Sequence, residues 1–153
     1  MARLELRIPP PAVALVVAAA MWLVARAGPA LDAPFTTRVA VFIALALVGV
    51  ALALAGKLEF RRARTTANPF RPENASTLVA TGVYRFTRNP MYLGLALAGL
   101  GWAAFLCSAW ALAGPVIFVV YISRFQIAPE ERVLAAKFGT AYAEYASRVR
   151  RWI

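Results

Sequence analysis

Four apolar stretches, over residues 11–27, 38–56, 90–106 and 109–125, constrain this chain more than anything else in it. Each approaches the roughly 20 apolar residues (about 17–25) that a helix needs to cross a bilayer. Backbone N–H and C=O groups in hydrocarbon must be paired within their own segment, so stretches of this kind become helices. Pro9-Pro10-Pro11 suits the start of the first and Gly28-Pro29 its end. The first and third are short and borrow flanking residues. Of 153 residues, 61% are hydrophobic, above the about 45–50% usual in a soluble domain, and the excess calls for an apolar solvent. The expected fold class is all-α: a polytopic integral membrane protein with about four transmembrane helices plus a cytoplasmic C-terminal amphipathic helix. The length suits one domain over 1–153. Residues 1–60 supply two spans, and 61–153 a polar loop, a helix hairpin and the C-terminal helix.

Charge sets the orientation. The net charge is +10, and all but Lys57 and Lys137 of the 17 basic residues are arginine. Lys57, Arg61, Arg62, Arg64, Arg71, Arg85 and Arg88 lie between the second and third stretches. Arg3 and Arg7 precede the first, Arg124 closes the fourth, and Arg132, Lys137, Arg148, Arg150 and Arg151 follow it. The opposite side holds Arg26 and Arg38. By the positive-inside rule both termini and the long loop are cytoplasmic, as in a bacterial inner (plasma) membrane. Membrane lipids, not nucleic acid, account for the basic surface. The apolar run continues past Ala18-Ala19-Ala20 through Met21-Trp22-Leu23-Val24, so the first helix reads as retained rather than cleaved. The short, uncharged Cys107-Ser108 link predicts a tight hairpin of the third and fourth helices. Gly94, Ala98, Gly101 and Ala104, like Ala46, Gly49, Ala53 and Gly56, recur at helical spacing and suit close packing.

The residue inventory narrows the chemistry. With one cysteine, Cys107, and no histidine, a disulfide framework is excluded within the chain, and haem, catalytic zinc and Ser-His-Asp chemistry lose their usual ligand or base. No metal site is expected. Polar residues concentrate instead at two borders. One is Gly82-Val83-Tyr84-Arg85-Phe86-Thr87-Arg88-Asn89-Pro90-Met91-Tyr92-Leu93-Gly94. Pro90 fits a first helical turn with Asn89 as N-cap, a helix N-terminus offers free N–H donors to an anion, and tyrosine rings offer faces to a cation. The other is Glu130-Glu131, followed by Phe138-Gly139-x-x-Tyr142-x-x-Tyr145. Pro129 fits the start of a helix whose dipole favours both glutamates. Glu131, Leu134, Phe138, Tyr142 and Tyr145 share one face, and Gly139 is a point of break or kink. The cations and indole of Arg148-Val149-Arg150-Arg151-Trp152-Ile153 suit the headgroup zone.

Taken together, the Tyr84-x-x-x-Arg88-Asn89-Pro90-x-Tyr92-Leu93-Gly94 motif, the preceding Ser76-Thr77-Leu78-Val79-x-x-Gly82 and the Glu-Glu pattern downstream resemble the isoprenylcysteine carboxyl methyltransferase and phospholipid methyltransferase family. The resemblance runs from about Thr65 to Trp152. It implies a membrane enzyme using S-adenosyl-L-methionine, bound on the cytoplasmic side between the loop, the last spans and the C-terminal helix. Cofactor contacts carry over to Ser76, Thr77, Leu78, Val79, Tyr84, Asn89, Pro90, Met91, Tyr92 and Glu130. A lipid-like or small hydrophobic acceptor would enter from the bilayer. Two departures bear on the acceptor. Asn89 stands where the commoner family form has histidine, as in the phospholipid methyltransferase branch, and Gln126 stands where the isoprenylcysteine branch has arginine.

Methyl transfer from a sulfonium is a direct displacement that depends on alignment, so a chain without histidine can perform it. Glu131 is expected to organise the site, with Arg124 and Arg88 meeting an anionic group on the acceptor. The competing readings are a reductase-like relative using a nicotinamide cofactor, for which no phosphate cradle is evident, and a non-catalytic membrane subunit or scaffold that kept the pocket motifs.

Overall fold

The computed structural model describes residues 5–66 and 72–153, which leaves Arg3 and Arg71 outside the described residues. Its helices are α1 (Pro10–Ala27), α2 (Phe35–Arg62), α3 (Pro90–Leu106), α4 (Ala113–Ile122) and α5 (Ala128–Arg148). Short 3-10 turns at Pro72–Asn74, Gly82–Arg85 and Ala109–Leu112 punctuate the connections. The described residues contain no β-sheet; an isolated bridge, Ala30 with Ser108, joins the loops at one end. Among the described residues, three helical runs are long and apolar enough to cross a membrane: Pro10–Ala27, Phe35–Arg62 and Ala109–Arg148. α3, with 17 residues, is apolar but shorter, about 25 Å at 1.5 Å per residue. Leu15 and Val16 on α1, Leu47 on α2 and Val120 on α4 are each more than 60% exposed, an outward apolar surface suited to lipid.

α2 exceeds its apolar stretch at both ends. Beyond Gly56 the sequence Lys57-Leu58-Glu59-Phe60-Arg61-Arg62 consists mostly of good helix formers and holds no breaker, so the helix runs on into polar surroundings. α2 and α3 touch backbone to backbone: a Cβ on Gly49 would lie 2.4 Å from the Gly94 carbonyl oxygen, and one on Gly94 equally close to the Gly49 oxygen. Further along the pair, a Cβ on Gly101 would meet Leu45 at 3.1 Å, and one on Gly56 would meet Pro90 at 3.1 Å. The small-residue spacing therefore marks a real interface. Trp102 donates its indole N–H to the Ala18 carbonyl (3.0 Å) and ties α3 to α1.

The α3–α4 hairpin turns at Cys107, which adopts the left-handed conformation (φ 52°) and donates its backbone N–H to Ala103 and Ala104 carbonyls. Arg38 reaches across from α2 and donates Nε to the Phe105 carbonyl at 2.7 Å, satisfying a carbonyl at the end of α3.

The C-terminal helix is not a separate element, as the sequence suggested. α4 runs into a π-helical turn at Ser123–Ile127 and from there into α5; with the 3-10 turn at Ala109–Leu112 this makes one helical run of 40 residues. Pro129 supplies the reason. It has no N–H, so the Phe125 carbonyl lacks its ordinary donor four residues on and instead accepts from the Leu6 N–H at 3.1 Å. Gly139 breaks the α5 pattern as anticipated, with φ 53° and ψ −124°.

Candidate functional site

The polar end of the bundle encloses a cavity whose walls come from every region the motifs flagged. The end of α2 gives Phe60, the connector gives Thr66, Ala75, Thr77, Leu78, Val79 and Tyr84, and the start of α3 gives Arg88 through Tyr92. Ile127, Glu130, Glu131, Leu134, Tyr142 and Tyr145 from the long helical run close it. The space that the centre of a water molecule can sweep is about 110 Å³.

Packing explains why the connector folds here. Val79, Tyr84, Tyr142, Tyr145 and Val149 form one buried cluster, with Phe60, Leu134 and Phe138 packed against it. The Tyr145 hydroxyl donates to the Tyr84 carbonyl at 2.8 Å. The Phe60 and Tyr84 rings meet edge-on, 5.4 Å between centroids, an arrangement that aromatic quadrupoles favour. Burial pushes the Tyr84 hydroxyl pKa upward, so it stays a neutral hydroxyl at ordinary pH. Aromatic residues on the shared face of α5 therefore staple the loop to the helix.

Two carboxylates organise the polar side. Glu130 Oε1 accepts from the Tyr92 hydroxyl (2.7 Å) and from Gln126 Nε2 (2.6 Å). The π turn places Gln126 one turn before Glu130, and Tyr92 sits in the first turn of α3, so this carboxylate joins the two halves of the site. Glu131 carries the second network. Arg88 Nη2 lies 3.2 Å from its Oε1, while Arg151 forks onto both oxygens, Nε at 3.1 Å and Nη2 at 2.5 Å. That fork raises the Arg151 pKa above its ordinary value. Arg88 Nη1 donates to the Tyr142 hydroxyl at 3.2 Å, and its Nε is buried with no partner among the described residues.

Most of the expected site residues converge: Thr77, Leu78, Val79, Tyr84, Arg88, Asn89, Pro90, Met91, Tyr92, Glu130 and Glu131 all line the cavity. Two do not. Ser76 is exposed and donates its backbone N–H to Thr65 Oγ1 (2.8 Å), because the connector turns its side chain away before Thr77 reaches the wall. Arg124 leaves the helix on another side and pairs with Glu5 at 3.1 Å, sharing that carboxylate with Arg132. A third has a different task from the one expected. Asn89 occupies the N-cap position of α3 without capping it; its Nδ2 donates to the Arg151 carbonyl at 2.9 Å.

Sequence reasoning missed Phe60, Thr66, Ala75 and Ile127 as wall residues. It placed Leu134, Tyr142 and Tyr145 on the right face without assigning them to the site. Arg151 and Trp152 were read as headgroup anchors, yet both turn inward, Trp152 donating Nε1 to Ser123 Oγ at 3.1 Å. Their cation-plus-indole composition looks the same in either setting.

A second cavity, about 400 Å³ and almost wholly apolar, lies between α1, α3 and α4, with Ala18, Leu95, Trp102 and Phe118 in its wall. Tyr92 and Ile127 line the first cavity and Phe118 the second, and all three belong to one buried cluster with Val13 and Ile122. The two spaces are thus separated by that cluster.

Comparison with known proteins identifies the family. Residues 37–141 match the phospholipid methyltransferase family. An uncharacterized protein of Haemophilus influenzae is 46% identical over 63 residues, 41% of this chain and all of that protein. Protein-S-isoprenylcysteine O-methyltransferase B of Arabidopsis thaliana is 37% identical over 82 residues, 52% of this chain and 40% of the plant protein. Protein-S-isoprenylcysteine O-methyltransferase of Saccharomyces cerevisiae is 35% identical over 80 residues, 50% of this chain and 32% of the yeast protein. The chain thus aligns with well under half the length of these methyltransferases. No solved structure matches.

Proposed function

Because the chain belongs to the phospholipid methyltransferase family, we propose that it is an integral membrane methyltransferase that takes its methyl group from S-adenosylmethionine and passes it to a hydrophobic or amphipathic acceptor arriving from the bilayer. The observation that carries this reading is the Tyr92–Glu130 hydrogen bond, which brings the first turn of α3 and the acidic turn of α5 to one cavity wall.

The residues present fit such a donor. Tyr84 and Tyr92 offer aromatic surface to an adenine or a sulfonium. Glu130 offers carboxyl oxygens as acceptors for ribose hydroxyls or an ammonium group. α3 begins at Pro90 with no side-chain cap, and free N–H groups of a first helical turn would suit an amino-acid carboxylate. The buried, unpartnered Nε of Arg88 is a further donor for an anion. Thr77, Leu78, Val79, Asn89, Pro90 and Met91 complete the surround.

When bound, the donor supplies a methyl carbon on sulfur that an acceptor lone pair takes while the carbon–sulfur bond breaks toward sulfur. The protein's task is alignment. Tyr92 and Glu130 would hold the donor at one wall of the polar cavity. An acceptor aligned with the donor in the polar cavity would gain much of the rate from positioning. Glu131 organises Arg88 for an anionic group. The basic end of the bundle, with the cavity, faces the cytoplasm of a bacterial inner membrane in this reading.

The test is a calorimetric titration with S-adenosylhomocysteine in detergent. The wild-type protein binds, and Glu130→Ala loses binding while still unfolding in a cooperative thermal transition. Unchanged affinity in Glu130→Ala, or silence from the wild type, would refute the assignment.

A further inference from the structure

After α5 the backbone becomes extended at Val149 (φ −118°, ψ 128°) and residues 149–153 fold back beneath the cavity. Main-chain contacts fix this segment to the start of α3. The Arg150 carbonyl accepts from the Arg88 N–H (3.0 Å), and the Arg151 carbonyl accepts from Asn89 Nδ2 (2.9 Å) and from Thr87 Oγ1 (3.4 Å). Trp152 holds the other side through Ser123 Oγ and packs on the cluster that contains Tyr92 and Ile127. Between these anchors, the Arg151 side chain forks onto Glu131.

The charge arithmetic gives that fork a consequence. Arg88 and Glu131 alone would neutralise each other. A planar guanidinium matches a carboxylate in two-point geometry, so an unopposed Glu131 would draw Arg88 fully onto itself. Arg151 takes that geometry instead. Arg88 is left with one long contact to Glu131 at 3.2 Å, a contact to Tyr142 and an uncommitted Nε. Arg88, Arg151 and Glu131 together carry one positive charge in excess, beside the separate Tyr92–Gln126–Glu130 network.

We propose that Arg151 is a positioning residue: by occupying Glu131 it leaves the Arg88 guanidinium only partly engaged and free to meet an anionic group of the ligand. The inference rests on the methyltransferase reading for the identity of that ligand, and deepens it. The anionic group is a carboxylate or an acidic head group, and it belongs either to the methyl donor or to the acceptor.

The experiment separates these sources and separates a positioning role from a structural one. Wild-type protein, Arg151→Ala, Glu131→Gln and the double variant are titrated with S-adenosylhomocysteine, which carries a carboxylate, and with methylthioadenosine, which lacks it. The main-chain clasp survives Arg151→Ala, so its Tm stays close to wild type. If Arg88 serves the donor, Arg151→Ala weakens S-adenosylhomocysteine about tenfold or more and leaves methylthioadenosine unchanged. Arg151→Lys recovers part of the loss, and Arg151→Ala adds nothing once Glu131→Gln has removed the competing charge. If Arg88 serves the acceptor, both titrations are unchanged, and Arg151→Ala lowers methylation of acidic lipids in a vesicle assay while sparing zwitterionic ones. Equal weakening of both nucleosides with a fall in Tm, or no change in any readout, overturns the proposal. Silence of the wild-type protein toward S-adenosylhomocysteine overturns the methyltransferase reading and this inference with it.

Discussion

Gly49→Ala probes the contact from which the cavity wall hangs. The new methyl would sit 2.4 Å from the Gly94 carbonyl oxygen and 3.2 Å from its carbon. Even a favourable carbon–oxygen contact rests at roughly 3.3–3.6 Å, so α2 and α3 must part by about 1 Å at this level. A gap of that size forfeits roughly a quarter to a half of the dispersion energy of each separated pair, and overpacking of this kind costs about 1–3 kcal/mol. At about 2–4 °C per kcal/mol for a chain of this size, the Tm in detergent should fall by several degrees. Function follows, because Gly94 lies two residues, about 3 Å of helix, beyond Tyr92. Moving α3 by about 1 Å stretches the 2.7 Å Tyr92–Glu130 bond past useful length, and S-adenosylhomocysteine affinity should drop about tenfold. Leu47→Ala is the control, since Leu47 is 64% exposed on the outer face of the same helix. Thermal unfolding and calorimetric titration read both effects. If Gly49→Ala matches the wild type in both, or if Leu47→Ala falls as far, the backbone contact does not support the site.

Other outcomes follow from single residues. Gly139→Ala meets no atom within 4 Å but must hold φ 53° and ψ −124°, so it should cost about 1–3 kcal/mol through backbone strain alone, read as a lower Tm. Arg124→Ala should leave S-adenosylhomocysteine affinity unchanged and lower stability by no more than about 1 kcal/mol, because its pairing with Glu5 lies on the surface away from the cavity. A large loss of affinity in Arg124→Ala would return that residue to the site.

The fold was legible wherever local rules act alone. Proline and glycine marked the ends of α1, the uncharged Cys107-Ser108 link marked the hairpin, and apolar spacing put Leu134, Tyr142 and Tyr145 on one face with Glu131. The convergence of Tyr92 and Glu130 was legible only through the joint pattern, since either residue has an ordinary structural explanation by itself. What stayed hidden depends on long-range partners. The π turn reflects Pro129 together with a donor from Leu6, more than a hundred residues away in sequence. Asn89 looks like a cap, yet its amide goes to Arg151, whose return beneath the cavity no local signal announces. Arg124 and Glu5 meet through the same tertiary contact. Ser76 was carried over from the family motif, and its exposure is set by the path of the connector.

The helical run that starts at Ala109 and passes Glu130 before the break at Gly139 makes the wall of the cavity a lever with its long arm in the lipid. From Phe118 to Glu130 the arm is about 18 Å, so a five-degree change in tilt sweeps the carboxylate through roughly 1.5 Å. Spans adjust their tilt to the thickness of the bilayer. Grip on a ligand in the polar chamber and the width of the surrounding membrane are therefore mechanically linked quantities, and bilayers of different acyl length set the chamber differently.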